Sequence, residues 1–188
     1  MSTKIKYKSD IGGLLGEKLK VNKVNGNVVV TNRPKRKMVG DPSEKQAAAQ
    51  RRFLVATQYA KYQNSVPELR ELYATGITDN KRTAFAVAVS DFLNAPEIES
   101  INASKYRGAI GDPIIVSAFD DFKVVGVRVM ITDAGGSMLE EGDAAQDKAK
   151  PSLWIYQCTV ANAALAGTTI NAIAVDTAGN ETSLDNVL

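Results

Sequence analysis

Few residues of this 188-residue chain could do chemistry, because it contains no histidine and a single cysteine, Cys158. Histidine-based catalytic triads, zinc sites of cysteine and histidine, and disulfide frameworks are excluded by composition. Cys158 continues an alternating run after Trp154 and Tyr156, which predicts a buried thiol that packs as a small apolar side chain. With no histidine to activate this thiol, we expect no nucleophilic role for it and no catalytic residues.

Acidic side chains at predicted loop ends are the remaining candidates for chemistry. Asp120, Asp121 and Asp176 could bind calcium through carboxylate oxygens, although the EF-hand pattern is absent. The alternative is structural, because Asp120 and Asp176 could each accept hydrogen bonds from the backbone of their own turn. A glycosidase-type carboxylate pair would need a cleft, which a narrow sandwich seldom supplies. We therefore expect no cofactor and no metal. If the chain does bind a metal, Asp120, Asp121 and Asp176 are the candidates for binding calcium.

Basic residues concentrate at the front of the chain. Residues 1–52 carry 13 Lys and Arg against 4 Asp and Glu, whereas residues 109–188 carry 4 against 11. This polarity favours an anionic partner for the front end, contact between two copies, or packing of the two regions within one molecule. Tyr7 is the only aromatic residue in the basic region, so stacking platforms for single-stranded nucleic acid are missing. The expected interaction residues, here called the basic arm, are Lys4, Lys6, Lys8, Arg33, Lys35, Arg36, Lys37, Arg51 and Arg52.

The elements of the front half follow from turn and capping signals. Asn25-Gly26 between two β-branched runs predicts a β-hairpin over about residues 12–34. Asp41 and Pro42 then mark a helix start, and Ser65 repeats this logic before Pro67. Three short helices with tight connections predict a small bundle, in which the apolar stripe of the first includes Ala49, Phe53, Ala56 and Ala60. The helices are expected over about 42–63, 65–76 and 79–93.

The back half changes to a period of two after Asn94-Ala95-Pro96 ends the third helix. Seven short strands in about 90 residues predict an immunoglobulin-like sandwich. The predicted fold class is α+β, with an N-terminal β-hairpin plus three-helix bundle in residues 1–95 and an all-β immunoglobulin-like sandwich in residues 96–188. The strands are expected over 97–102, 113–119, 123–132, 137–141, 153–160, 168–176 and 181–187.

Alternation within the strand at 168–176 separates a core face from an outer face. If Ile170 and its alternating neighbours face the core, Ile173 and Val175 face outward, and Met130 joins them from a neighbouring strand. Outward apolar residues on a sheet often mark a partner surface, but these could equally lie under the protein's own helices. Met130, Ile173 and Val175 are therefore the second expected interaction site.

Two segments of the back half resemble a known family. Residues 116–127, VSAFDDFKVVGV, resemble the start of the third strand of bacterial immunoglobulin-like domains, and residues 170–180, INAIAVDTAGN, resemble their Asp-x-Ala-Gly-Asn corner. The resemblance covers about residues 97–188 and implies an adhesive, spacer or decoration module. The front half is more loosely similar to small uncharacterised proteins of Bacteroidota and their phages, through its Gly-rich hairpin, its Arg-Pro-Lys connector and the Ser-Glu-Lys-Gln start of its helix. That similarity implies no known activity.

These observations together predict a non-enzymatic structural or interaction protein, an assembling or decorating subunit of a phage or phage-like particle. The partner would be another protein or a second copy. The alternative is a small nucleic-acid-binding accessory protein that acts through the basic N-terminal region. No apolar run approaches the ~20 residues that cross a bilayer, and the N-terminus lacks the apolar stretch of a secretory signal. We therefore expect cytoplasmic synthesis, no membrane partner, and incorporation into a virion as an open alternative.

Overall fold

The computed structural model describes residues 13–15, 19–24, 27–32 and 42–188. The chain divides into two compact units, residues 1–45 and 46–188. The predicted domain boundary between residues 95 and 96 falls inside the second unit and stays a prediction. The basic-arm residues from Lys4 to Lys37 lie outside the described residues. The predicted helix cap Asp41 lies outside them as well.

The first unit contains a three-stranded antiparallel sheet in the order β1-β2-β3. Its strands are β1 Gly13–Leu15, β2 Leu19–Val24 and β3 Asn27–Asn32. β1 pairs with β2 on the side opposite β3, with Leu14 facing Lys20 in the register. The two strands predicted on either side of residues 25 and 26 do pair, as β2 and β3, but they belong to a three-stranded sheet and not to a hairpin of two strands. A lone pair of strands is marginal in water, and the third strand covers one edge of the β2–β3 pair.

The second unit places three helices before all of its strands. The helices are α1 Glu44–Ser65, α2 Pro67–Ala74 and α3 Ala84–Leu93. They do not enclose a core by themselves, since Phe122 from the strand region packs against their buried side chains and stacks on Tyr73 at a centroid distance of 4.8 Å. Within the described residues, no helix is both long and apolar enough to cross a membrane.

Eight strands follow the helices and form two four-stranded antiparallel sheets, ordered β11-β10-β6-β7 and β4-β5-β9-β8. The strands are β4 Glu97–Asn102, β5 Pro113–Phe119, β6 Val124–Thr132, β7 Met138–Asp143, β8 Ala145–Gln146, β9 Leu153–Gln157, β10 Thr169–Asp176 and β11 Glu181–Val187. Both sheets contribute to one apolar core, with Ile114 and Val116 from one sheet and Val129 and Ile170 from the other. The seven predicted strand positions are confirmed, with shifts at their ends, and the two-residue β8 was missed.

The predicted fold class is nevertheless wrong as a whole. The described chain has a three-stranded sheet, then three helices, then two four-stranded sheets, with neither a hairpin of only two strands nor a self-contained helical bundle. The predicted apolar stripe of α1 is buried only in part, because Ala56 and Ala60 are buried while Ala49 is exposed and Phe53 is 54% exposed. The predicted cap of α2 is also wrong. Val66 is the N-cap without a side-chain hydrogen bond, and Ser65 Oγ donates to Tyr62 O at 2.7 Å.

Candidate functional site

Three aspartates meet where the helices contact one end of the sandwich. Asp91 lies on α3, Asp120 directly follows β5, and Asp176 ends β10. Each offers one carboxylate oxygen to a group in which all three oxygens lie within 4.8 Å of one another. Asp91 is 0% exposed and Asp176 is 2% exposed. We call these three residues the aspartate cluster.

Two members of the aspartate cluster are held by their own turns. Asp120 Oδ2 accepts hydrogen bonds from the backbone nitrogens of Phe122 at 2.9 Å and Lys123 at 3.0 Å. Asp176 accepts from both the backbone nitrogen and the Nδ2 of Asn180, each at 2.7 Å. These contacts confirm the turn-capping role that the sequence predicts for both aspartates. They fix the two carboxylates at the end of the sandwich before any ligand is considered.

Asn180 also connects its turn to the end of α3. Its Nδ2 lies 3.0 Å from Asp91 O, 3.3 Å from Asn94 O and 3.4 Å from Phe92 O. The last carbonyls of a helix lack partners within the helix, so a side-chain donor there satisfies groups that would otherwise be unpaired. Asn180 therefore holds α3, and with it Asp91, against the turn that carries Asp176.

Tyrosine side chains extend this network to the other two helices. Tyr73 of α2 donates its hydroxyl to Asp91 Oδ2 at 2.6 Å. Because that proton is committed to the carboxylate, the Tyr73 oxygen accepts the hydrogen bond from Tyr59 of α1, also at 2.6 Å. Burial, together with these bonds and the charge of Asp91, raises the pKa of Tyr73 well above its ordinary value. All three helices thus contribute to one hydrogen-bonded chain that ends at the aspartate cluster.

The electrostatics of the aspartate cluster are unbalanced. Burial, which is the largest cause, and the nearby carboxylates of Asp176, Asp120 and Asp121 together raise the pKa of Asp91 to about 7, against the lowering effect of the Tyr73 hydrogen bond. Burial also raises the pKa of Asp176. Among the described residues, the two ion pairs are Lys81–Asp121 and Arg128–Asp143, and neither includes a member of the cluster. A buried carboxylate without a partner is unfavourable, so a proton or a cation must offset part of this charge.

Two oxygens of the aspartate cluster also lack hydrogen bonds. Oδ1 of Asp91 and Oδ1 of Asp120 are both inaccessible to solvent, and neither has a partner among the described residues. The other oxygen of each carboxylate is used, by Tyr73 for Asp91 and by backbone nitrogens for Asp120. Buried acceptors are satisfied in the great majority of native proteins, so two such oxygens in one cluster need an explanation.

Asp121, the third calcium candidate of the sequence, is not part of the aspartate cluster. Its Oδ2 contacts Lys81 Nζ at 2.6 Å, Ser90 Oγ at 2.6 Å and Asn94 Nδ2 at 2.9 Å, so its charge is paired. Asp91, the third member of the cluster, was not predicted from the sequence. The available signal was an acidic residue three and four positions after the buried Ala88 and Val87 of α3, on the apolar side of that helix.

The predicted interaction residues lie at separate places on the second unit. Arg51 is exposed, and Arg52 donates from a guanidinium nitrogen to Leu93 O at 2.6 Å. On the outer sheet face, Ile173 and Val175 line a shallow groove of about 260 Å³, and all of Met130, Ile173 and Val175 are partly buried. An interaction at either place stays a prediction.

Helix α1 exposes three consecutive apolar residues. Phe53 is 54% exposed, Leu54 57% and Val55 49%. Successive helical residues point about 100° apart, so these side chains extend around more than half of the helix circumference. We call Phe53, Leu54 and Val55 the α1 apolar turn. An apolar surface of this kind favours contact with a partner.

The thiol and one further carboxylate belong to the sandwich itself. Cys158 is 2% exposed, as predicted, and burial raises its pKa to about 12. Glu140 is 7% exposed and accepts hydrogen bonds from Tyr156 Oη at 2.8 Å and from the nitrogen and Oγ1 of Thr159 at 2.7 and 2.8 Å. Burial opposes its ionisation, but these bonds outweigh burial and lower its pKa. The Cys158 thiol and the Glu140 carboxylate are therefore both buried parts of the sandwich.

Comparison with known proteins leaves the chain without a family. No family model matches it, and no curated protein does. The crystal structure of an engineered protein is similar over 49% of this chain and 18% of its own, at 22% sequence identity and a TM-score of 0.36. A likeness at that TM-score carries no argument about fold or function.

Proposed function

We propose that this protein is a non-enzymatic assembly subunit, which associates with copies of itself in a larger structure such as a phage or phage-like particle. The α1 apolar turn is the observation that carries the proposal. Phe53, Leu54 and Val55 expose about half of their surfaces on a helix whose buried residues are Ala56 and Ala60. A second protein surface would remove the exposed half of each side chain from water, which contributes about half of the ~1.5–3 kcal/mol that full burial of a leucine-sized side chain gives.

Charge polarity supports a head-to-tail contact between copies. The front 52 residues have a surplus of 9 positive charges, whereas residues 109–188 have a surplus of 7 negative charges. Acidic side chains of the sandwich are exposed, among them Glu141, Asp143, Glu181 and Asp185. The basic arm of one copy would meet this acidic surface of the next, in a contact that repeats without closing or that closes into a ring. The particle setting itself rests on the resemblance of residues 97–188 to bacterial immunoglobulin-like domains, which implies an adhesive, spacer or decoration module.

Sedimentation velocity of the full chain at increasing concentration tests this proposal. We expect association that weakens between about 50 and about 500 mM salt, over which the Debye length falls about threefold. The substitution Leu54→Glu should weaken association at least ~10-fold, because it removes an apolar contact and introduces a charge that must be desolvated.

The matched control is Asn64→Glu, which adds the same charge at another exposed position of the same helix. It should associate like the unchanged protein, and both variants should keep the same circular dichroism spectrum. A strictly monomeric protein at low salt and high concentration would overturn the proposal. If Leu54→Glu and Asn64→Glu weaken association equally, the α1 apolar turn is not the contact between copies.

The second candidate function is binding of nucleic acid through the basic arm, which the surplus of positive charge favours. Phosphate contacts would give affinity that ignores base sequence and falls steeply with salt. A gel-shift series with an arbitrary duplex distinguishes the two functions. Binding that is lost after deletion of residues 1–37, together with a monomeric free protein, would favour the second candidate over assembly.

A further inference from the structure

We propose that Asp91, Asp120 and Asp176 form a binding site for one calcium ion, which joins α3 to the two turns at the end of the sandwich. This inference is independent of the assembly function. It rests on the geometry of the three carboxylates, on their two unpartnered oxygens and on the missing positive charge.

The spacing of the oxygens suits calcium. Calcium binds carboxylate and carbonyl oxygens at 2.3–2.6 Å, so two oxygens on opposite sides of one ion are separated by at most about 5 Å. The three oxygens of the cluster all lie within 4.8 Å of one another, which lets a single ion contact all of them. Magnesium binds at 2.0–2.1 Å, demands near-ideal octahedral geometry and usually keeps several waters, so a buried site formed by three protein carboxylates suits it less well than calcium.

The hydrogen bonds leave suitable ligand atoms. Oδ1 of Asp91 and Oδ1 of Asp120 are buried and accept nothing from the described residues, so both remain for an ion. Asp176 uses its oxygens for Asn180, but a carboxylate oxygen has more than one lone pair and can serve both a donor and a cation. Asp91 is 0% exposed, so the cluster differs from the groups of solvated acidic residues that are common on protein surfaces.

Charge gives the third argument. Up to three negative charges meet here, and neither of the two ion pairs among residues 42–188 contributes a cation to them. The surrounding groups do not supply one either: Tyr73 and Asn180 donate neutral hydrogen bonds, and Lys81 is committed to Asp121 at 2.6 Å. A divalent ion would offset most of this charge and stabilise only the folded chain, since the three aspartates converge only when the protein is folded.

Thermal unfolding of the full chain, freed of metal by a chelator, provides the main test. Calcium at about 100-fold excess over its dissociation constant should raise the melting temperature by roughly 5–10 °C, and magnesium should raise it much less. Terbium provides a direct probe, because it replaces calcium at oxygen sites and emits when a nearby tyrosine is excited. Tyr73 donates to the proposed ligand Asp91 and should sensitise this emission.

The variants Asp91→Asn and Asp120→Asn keep an acceptor oxygen for Tyr73 or for the turn but remove the charge. Each should unfold cooperatively without metal and lose both the calcium-dependent rise and the terbium emission. The matched control is Asp143→Asn, which removes an exposed carboxylate paired with Arg128 and should keep both signals. The proposal is overturned if the unchanged protein shows no calcium-dependent rise, if either cluster variant keeps it, or if Asp143→Asn loses it.

Discussion

Two buried carboxylates, Glu140 and Asp91, have opposite electrostatic surroundings. Burial opposes ionisation of both, but Glu140 accepts three hydrogen bonds that outweigh burial, and its pKa is lowered. Asp91 accepts one such bond, from Tyr73, and faces two other carboxylates, so its pKa is raised. At this scale, the donors and the charges around a carboxylate decide its ionisation together with its burial.

Glu140→Gln tests the role of those donors. A carboxylate that accepts bonds from Tyr156 and Thr159 stabilises the fold while it is ionised, so the variant should lose about 1.5–3 kcal/mol of unfolding free energy at pH 7. The folded-state pKa lies below the ordinary value, so this stabilisation is complete above about pH 5 and is lost as pH falls through the folded-state pKa. Urea unfolding between pH 7 and pH 3 measures both effects.

The control for this prediction is Glu141→Gln, which changes the exposed neighbour on the same strand. It should alter stability by less than about 0.5 kcal/mol and keep the loss of stability on acidification. If Glu140→Gln shows the same pH dependence as the unchanged protein, the hydrogen bonds to Glu140 do not stabilise its ionised form.

At the scale of elements, caps decide where the helices begin. α3 is predicted from residue 79 but begins at Ala84, because Thr83 has extended backbone angles and its hydroxyl accepts a hydrogen bond from Ala86 N at 3.1 Å. The spacing of apolar residues in α3 contains no information about this cap. It therefore located the helix but not its first residue. Since α3 carries Asp91, the cap also helps to place the aspartate cluster.

Thr83→Ala removes the cap of α3 and should lower the unfolding free energy by about 1 kcal/mol. Thr83→Ser keeps the hydroxyl and should restore most of that loss. Chemical denaturation of the three proteins makes the comparison. Equal destabilisation by alanine and serine would show that the methyl group of Thr83, and not its hydroxyl, supports this helix start.

At the scale of the whole molecule, the second unit has two apolar cores of its own. Among the residues that the structure describes, the buried members of these two cores lie between Ala60 and Ala174, and the network around Asp91 lies within the same unit. A chain of this size can bury enough apolar surface to fold independently. The second unit should therefore be stable without the first.

Deletion of residues 1–41 keeps α1 complete and tests this independence. The shortened chain should unfold in one cooperative transition within about 2–4 °C of the main transition of the full chain, a shift that corresponds to at most about 1 kcal/mol. Differential scanning calorimetry provides the measurement. Loss of the cooperative transition would mean that the first unit is needed for the fold of the second.

Sequence alone determined the local features of this protein. The alternation of apolar residues around Val116 and Ile170 located the strands. The turns at Asp120 and Asp176 predicted that these aspartates accept hydrogen bonds from the backbone of their own turns. Both features depend only on residues that are close in the sequence. The tertiary structure decided that the later strands form two four-stranded sheets, that the helices do not form a bundle of their own, and that Phe53 is exposed. It also brought Asp91 to Asp120 and Asp176. Contacts between residues so distant in the chain depend on how whole elements pack, and no local pattern encodes that packing.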